Sequence, residues 1–367
     1  MKITGIQCWR VPLTSHKTYY MADDKTCDTV DSIVIRINTD NGLNGWGEVC
    51  PIPHYLPAYS NGVVPAIEEM VPVLIGADPI GPEALMHKLN TYLQGHDYAK
   101  SAIDTALWDL TAKSADKPLY RLLGGKHLDQ LPLYHSITCI GADDMAEIAT
   151  DAFATGIRQF QVKLGADNDW QHDAERLIKV REAVGDGPLV YGDWNCGAQP
   201  LDAIRVARAV MHLDVMLEQP CRTLENCASV KQACQLPMKI DESAHDTASL
   251  LQASNLGCMD AVALKLSKFG GLSSMRRARD LCVHLGTRMC IEDTWGSDIN
   301  TATAIHLATA TPAASVLNVC DLSSYVYPRL DEHGPTRENG YISISETPGH
   351  SITPDPEVLG EPCAVFS

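Results

Sequence analysis

The chain has 367 residues, too many for one ordinary core and enough for a barrel of about 250 residues plus a smaller domain. Hydrophobic residues make up 45% and charged residues 20%, a globular balance that excludes a disordered or fibrous protein. A net charge of −17 argues against a nucleic-acid binder and against attraction to an anionic membrane surface, and no apolar run reaches membrane-spanning length.

The N-terminus, MKITGIQCWRVPLTSH, alternates polar and apolar residues and lacks the apolar centre of a signal peptide. Residues 1 to about 60 read as strands, KITGIQCWRV and then DSIVIRINTDNGLNGWGEV, with Asp40-Asn41-Gly42 as a hairpin signal. From about 63 to 117 the pattern turns helical: Ile103, Leu107, Leu110 and Ala112 recur at helix spacing, and Lys117-Pro118 ends the run. Strands followed by helices predict an α+β capping domain over residues 1–125. From about residue 130 short apolar strands (FQVKL, LVYGD, VMLEQ, MKIDE, AVALK, RMCIED) alternate with amphipathic stretches such as DWQHDAERLIKVREAV. That alternation, in units of roughly 25 to 30 residues, predicts right-handed βαβ steps and a parallel barrel over 126–325. About seven units can be counted, and an eighth strand is not placed. The irregular segment 326–367, rich in Pro and Gly, is expected to return to the capping domain. Thirteen cysteines, an odd number without a CxxC pair, point to reduced thiols in a cytoplasmic protein.

The last polar residues of the predicted strands are Lys163, Asp193, Glu218, Asp241, Lys265 and the pair Glu292-Asp293. They lie 30, 25, 23, 24 and 27 residues apart, one βα unit each. Strand ends of a closed parallel barrel form a ring at its C-terminal mouth, so three carboxylates flanked by two lysines should face one cavity. Carboxylates so placed repel one another and call for a cation. Mg2+, one per chain, suits oxygen donors and leaves positions for a substrate carboxylate, whose enediolate it would stabilise once the α-proton is lost. The lysines must be neutral part of the time to serve as bases. Burial and a nearby cation both lower a lysine pKa from about 10.4, whereas arginine stays charged. Any one such residue alone is more often a loop cap or surface charge than a catalyst. The run in consecutive registers is what carries the reading.

Five motifs hold these residues: Gln161-Val-Lys163, Asp193-Trp-Asn195, Leu217-Glu218-Gln-Pro220, Ile240-Asp241-Glu242-Ser243 and Lys265-Leu-Ser-Lys268-Phe-Gly-Gly271, with Leu122-Leu-Gly-Gly125 at the domain junction. Together they resemble the enolase superfamily, muconate lactonizing enzyme subgroup, over essentially the full length. The resemblance implies a (β/α)7β-type modified TIM barrel, Mg2+ on Asp193, Glu218 and Asp241, and Lys163 and Lys265 as the two acid/bases. It also implies a homo-oligomer. The family usually has lysine where this chain has Gln161, read as tuning. Lys268 is expected to support Lys265 or the metal site, with a plain loop charge as the alternative.

In this family substrate choice is attributed to capping loops, here roughly 19–29 and 50–62, which carry Tyr19, Tyr20, Met21, Asp24, His54, Tyr55 and Tyr59. Together with Asn195, Asp293, Thr294 and Trp295, a tyrosine-lined pocket with acidic groups suits a compact amino acid with a cationic nitrogen. The segments WGEVCPIPHYLP, GHDYAKSAIDTALWDL and IEDTWGSDI resemble the branch acting on proline derivatives, cis-3-hydroxy-L-proline dehydratases and epimerases of hydroxyproline betaines. A betaine favours an aromatic cage with tryptophan, which LNVCDLSSYVYP lacks, so the expected substrate is 3-hydroxyproline. The alternatives are a racemase or epimerase of proline betaines, N-acyl amino acids or dipeptides, and a non-catalytic binding protein on the same scaffold. Acid-sugar dehydration ranks lower, because no histidine base stands beside the carboxylates.

Overall fold

Alternating burial along the first strands sets up the N-terminal layer. In this computed structural model, which describes residues 1–167 and 169–367, β1 (Ile3–Tyr20), β2 (Thr26–Thr39) and β3 (Asn44–Val49) form an antiparallel sheet. The expected Asp40-Asn41-Gly42 turn joins β2 to β3, with Gly42 at φ +86°, where a side chain would be strained. Helices α1 (Val63–Leu74), α2 (Pro82–Tyr92) and α3 (Asp97–Ser114) cover one face of the sheet around Ile33, Ile35, Ile67 and Leu107. α3 lies against β3 at glycines: a Cβ on Gly47 would sit 1.9 Å from the Ala102 carbonyl oxygen, and one on Gly45 would sit 2.1 Å from that of Ala106. Its other side meets the barrel, where Asp104 accepts hydrogen bonds from the backbone N–H and Oγ of Ser273, both at 2.6 Å.

The barrel follows a short strand β4 (Leu131–Pro132) that pairs with the hairpin strand Tyr341–Ser343. Its eight strands are β5 (His135–Ile137), β6 (Gln159–Lys163), β7 (Leu189–Asp193), β8 (Val215–Glu218), β9 (Met238–Ile240), β10 (Ala261–Lys265), β11 (Arg288–Glu292) and β12 (Val316–Val319). All are parallel and lie in chain order, and a bridge between Leu133 and Val319 links the two edges. Sequence counting stopped at about seven units because no charged strand-end residue marks β5 and β12 as Lys163, Asp193, Glu218, Asp241, Lys265 and Glu292 mark the other six. The C-terminal strand Ala364–Phe366 pairs antiparallel with β1, as does Val326–Tyr327. Among the described residues no helix is long and apolar enough to cross a membrane.

Candidate active site

Strand register brings the predicted residues together. Lys163, Asp193 and Glu218 are direct partners across β6, β7 and β8, and Glu218 is level with Lys239 on β9. Asp241 stands two residues beyond Lys239 and therefore projects to the same side, nearer the mouth. Lys265 pairs with Glu292 across β10 and β11. β6 and β10 are four strands apart in an order of eight, so Lys163 and Lys265 stand across the barrel from each other, with the three carboxylates on the arc between. All five side chains are buried.

Both lysines line one narrow cavity of ≈ 60 Å³, with Tyr19, Tyr55, Tyr134, Tyr325, Asp293, Thr294 and Trp295 among the other walls. Lys163 Nζ donates to Asp193 Oδ2 at 2.5 Å and to Asn195 Oδ1 at 3.1 Å. Asn195, held at φ +44°, in turn donates through Nδ2 to Glu242 Oε1 at 3.1 Å. Lys265 Nζ donates to Asp241 Oδ2 at 2.8 Å and also contacts the Tyr55 hydroxyl, which itself bonds Asp241. Lys268 Nζ donates to Asp241 Oδ1 at 2.8 Å and to two backbone carbonyls, so it supports Asp241. Asp293 accepts from the backbone N–H of Ser267 and Thr294 at 2.9 and 2.8 Å, leaving its Oδ2 without a donor. Trp295 Nε1 is likewise buried and has no acceptor.

Tyr20 and Asp24 are not brought to the cavity, and Asn195, Lys268 and the acids Asp193, Glu218 and Asp241, expected to face it, are not among its lining residues either. Tyr20 is 46% exposed and Asp24 is exposed, whereas their neighbours Tyr19 and Met21 line the cavity. β1 is irregular against β2 between Thr14 and Tyr19, so its inward face cannot be read by alternation from the regular part of the strand. His54 and Tyr59 are exposed as well. Conversely, Tyr134, whose hydroxyl donates to Glu292 Oε2 at 2.5 Å, was not singled out from the sequence. It stands just before the three-residue β5, where no periodicity marks it.

The electrostatics differ from the sequence expectation for the lysines. Burial lowers the Lys163 pKa, but the charges of Asp193 and Glu218 outweigh it and the net shift is upward. Burial likewise opposes, and Asp241 and Glu292 overcome, so Lys265 is raised too. Only Lys268 is lowered, by burial against the pull of Asp241. The carboxylates divide: burial would raise Asp241 too, but the charges of Lys265 and Lys268 outweigh it and hold Asp241 well below the usual carboxylate range. Burial raises Glu218 to about 7, Glu242 to about 8 and Asp293 to about 6.

These donors fit a hard divalent cation in kind, three buried carboxylates on consecutive strand ends, although Glu218 Oε1, which receives no hydrogen bond, has the Lys239 ammonium 2.9 Å away. In this structure Asp193 and Asp241 turn to the lysines instead, and among the described residues no three His, Cys, Asp or Glu side chains converge as a metal cage.

Comparison with known proteins places this architecture. Residues 144–358 match the family described as Enolase C-terminal domain-like, and residues 6–124 match Mandelate racemase / muconate lactonizing enzyme, N-terminal domain. The chain belongs to the enolase superfamily. It is 40% identical over 370 residues to the cis-3-hydroxy-L-proline dehydratase of Roseibium aggregatum, covering 100% of both chains. It is 25% identical to an N-succinyl-L-Arg/Lys racemase of Bacillus cereus, over 98% of both. A mandelate racemase/muconate lactonizing enzyme structure from Roseovarius nubinhibens superposes at TM-score 0.95 with 35% identity, over 100% of this chain and 98% of that one. An enolase-superfamily structure from the same organism, complexed with magnesium, superposes at TM-score 0.94 with 33% identity, over 100% and 99%. The enolase-superfamily chain described here is an enzyme of the dehydratase or racemase/epimerase kind.

Proposed function

We propose that this enzyme dehydrates cis-3-hydroxy-L-proline to Δ1-pyrroline-2-carboxylate, with Mg2+ held by Asp193, Glu218 and Asp241. The observation that carries the reading is the single cavity lined by Lys163 and Lys265 from strands half a barrel apart. The 40% identical, full-length dehydratase relative supports the substrate. When bound, the cation supplies the positive charge that makes the α-proton of a carboxylate substrate acidic.

The chain's own residues account for the rest. Were Asp193 shared with a cation, Lys163 would lose much of its counter-charge and burial would lower it toward the neutral form a base needs, while Lys265, still beside Glu292, would keep the proton it has to give. Lys163 takes the α-proton from the ring face opposite the substrate's carboxylate and hydroxyl. Lys265, on the other face, gives a proton to the departing hydroxyl, which leaves as water. The C2–C3 enamine then tautomerises to the cyclic imine. Asp293 and Trp295 line the cavity with Oδ2 and Nε1 unpartnered, which supports Asp293 accepting from the secondary ammonium and Trp295 donating to a substrate oxygen.

A second reading, 2-epimerisation of a proline betaine, has its own observation. The cavity has a tryptophan after all: the Trp295 ring centroid lies 6.1 Å from that of Tyr19 and 6.3 Å from that of Tyr325, an aromatic wall able to face a quaternary ammonium. Proton NMR of the Mg2+-supplemented enzyme in D2O separates the two. Loss of the substrate 3-H carbinol signal with imine product supports dehydration of cis-3-hydroxy-L-proline. Only α-deuteration, or turnover of the betaine alone, removes it.

A further inference from the structure

Lys239 is a fully buried cation with no part in the chemistry above. It is on β9, 0% exposed, and does not line the cavity. Its Nζ is 2.9 Å from Glu218 Oε1, although off the axis of a good hydrogen bond, and it lies 4.8 and 5.5 Å from the ring centroids of Tyr191 and Tyr134. Burying an ammonium costs several kcal/mol unless a counter-charge and polarisable partners offset it, so this lysine is held where Glu218 needs a positive neighbour.

The other oxygen of the same carboxylate is also held. Gln161 Nε2 donates to Glu218 Oε2 at 2.7 Å, and the Gln161 amide is itself oriented by Ser136 Oγ, which donates to its Oε1 at 2.6 Å. Glu218 is thus gripped from β6 by a neutral dipole and from β9 by a full charge. Of the lysines around the acids, Lys163 and Lys265 must change protonation to turn over and Lys268 serves Asp241. Lys239 alone offers Glu218 a charge that stays fixed.

We propose that Lys239 is the positioning residue of Glu218, a fixed buried charge delivered from β9 that holds this carboxylate in place as a cation ligand. The inference rests on the reading of Asp193, Glu218 and Asp241 as a divalent-metal site. Because Gln161 reaches the same carboxylate, the charge should be movable between strands: Gln161→Lys combined with Lys239→Met keeps the count while changing the side it comes from.

Calorimetric titration of the purified full chain with Mg2+ tests this without reference to activity. Lys239→Met should bind Mg2+ about 10- to 100-fold more weakly than wild type, and the Gln161→Lys/Lys239→Met enzyme should return to within about threefold of it. A folded Lys239→Met enzyme that binds Mg2+ as wild type does overturns the proposal, since a purely structural lysine would leave metal affinity unmoved. Should Lys239→Met not fold, the charge-conserving double variant decides alone: affinity within about threefold supports the proposal, and a loss of tenfold or more overturns it. No Mg2+ binding by wild type itself would instead remove the metal reading on which the inference rests.

Discussion

Asp293 shows how burial at a single side chain shapes what the cavity can hold. Ser267 and Thr294 fix one oxygen, the other has no donor, and burial lifts its pKa to about 6. An ammonium substrate should therefore bind to the ionised form, and KM should rise as pH falls through about 6. Asp293→Asn, which cannot ionise, should raise KM at least about tenfold at pH 8 and abolish that inflection. Steady-state kinetics from pH 5 to 8 check both statements, and an unchanged KM profile in Asp293→Asn would remove Asp293 as the nitrogen's partner. Residue-scale placement was legible where strand ends announced it. Lys163, Asp193, Glu218, Asp241 and Lys265 fall in the expected ring because a parallel strand ends on its last inward residue. The lysine protonation was not legible, since it depends on which carboxylate each Nζ meets.

Elements place the loops that shape the cavity, and one buried carboxylate ties two of them together. Glu48 at the end of β3 accepts from Ser32 Oγ at 2.7 Å, from the Ser297 backbone N–H at 2.8 Å and from Asn300 N–H at 3.0 Å. It thereby caps the helix Asp298–Thr309 directly after the Asp293–Trp295 wall. Burial raises its pKa to about 7 from 4.5. The native state then holds a proton that the unfolded chain releases over that range. Stability must fall as pH rises from about 4.5 to about 7, by at most about 3.4 kcal/mol from this group. Glu48→Gln removes the titration, so thermal melts should show wild type losing ground to the variant between pH 5 and 8. A stability difference that is flat with pH would contradict this account. The β3–α3 contact gives a second element-scale prediction. Gly47→Ala drives a methyl into the Ala102 carbonyl and should lower stability by about 2 kcal/mol or more, read as a drop in Tm. Periodicity revealed the long strands and helices. It could not reveal β5, which carries no charged strand-end residue, nor the inward side of β1 past its irregularity, which is why Tyr20 and Asp24 were expected at a cavity that Tyr19 and Met21 line.

At the scale of the whole molecule, chain order and barrel geometry turn distant residues into one centre. Lys163 and Lys265 are about a hundred residues apart and reach the same cavity because four strands of eight make half a turn. The acids between them are the reason cation binding should act on the whole fold. Mg2+ at about 100 times its Kd should stabilise the protein by about 2.7 kcal/mol, and chelation should reverse that gain and abolish turnover. Unchanged melting and activity after exhaustive chelation would contradict the metal assignment. The central claim is a division of labour across the barrel, and hydrogen–deuterium exchange at the substrate α-carbon tests it most directly. With cis-3-hydroxy-L-proline in D2O, Lys265→Ala should still exchange the α-proton but form no imine, whereas Lys163→Ala should do neither. Exchange retained in Lys163→Ala, or dehydration retained in Lys265→Ala, would contradict the account.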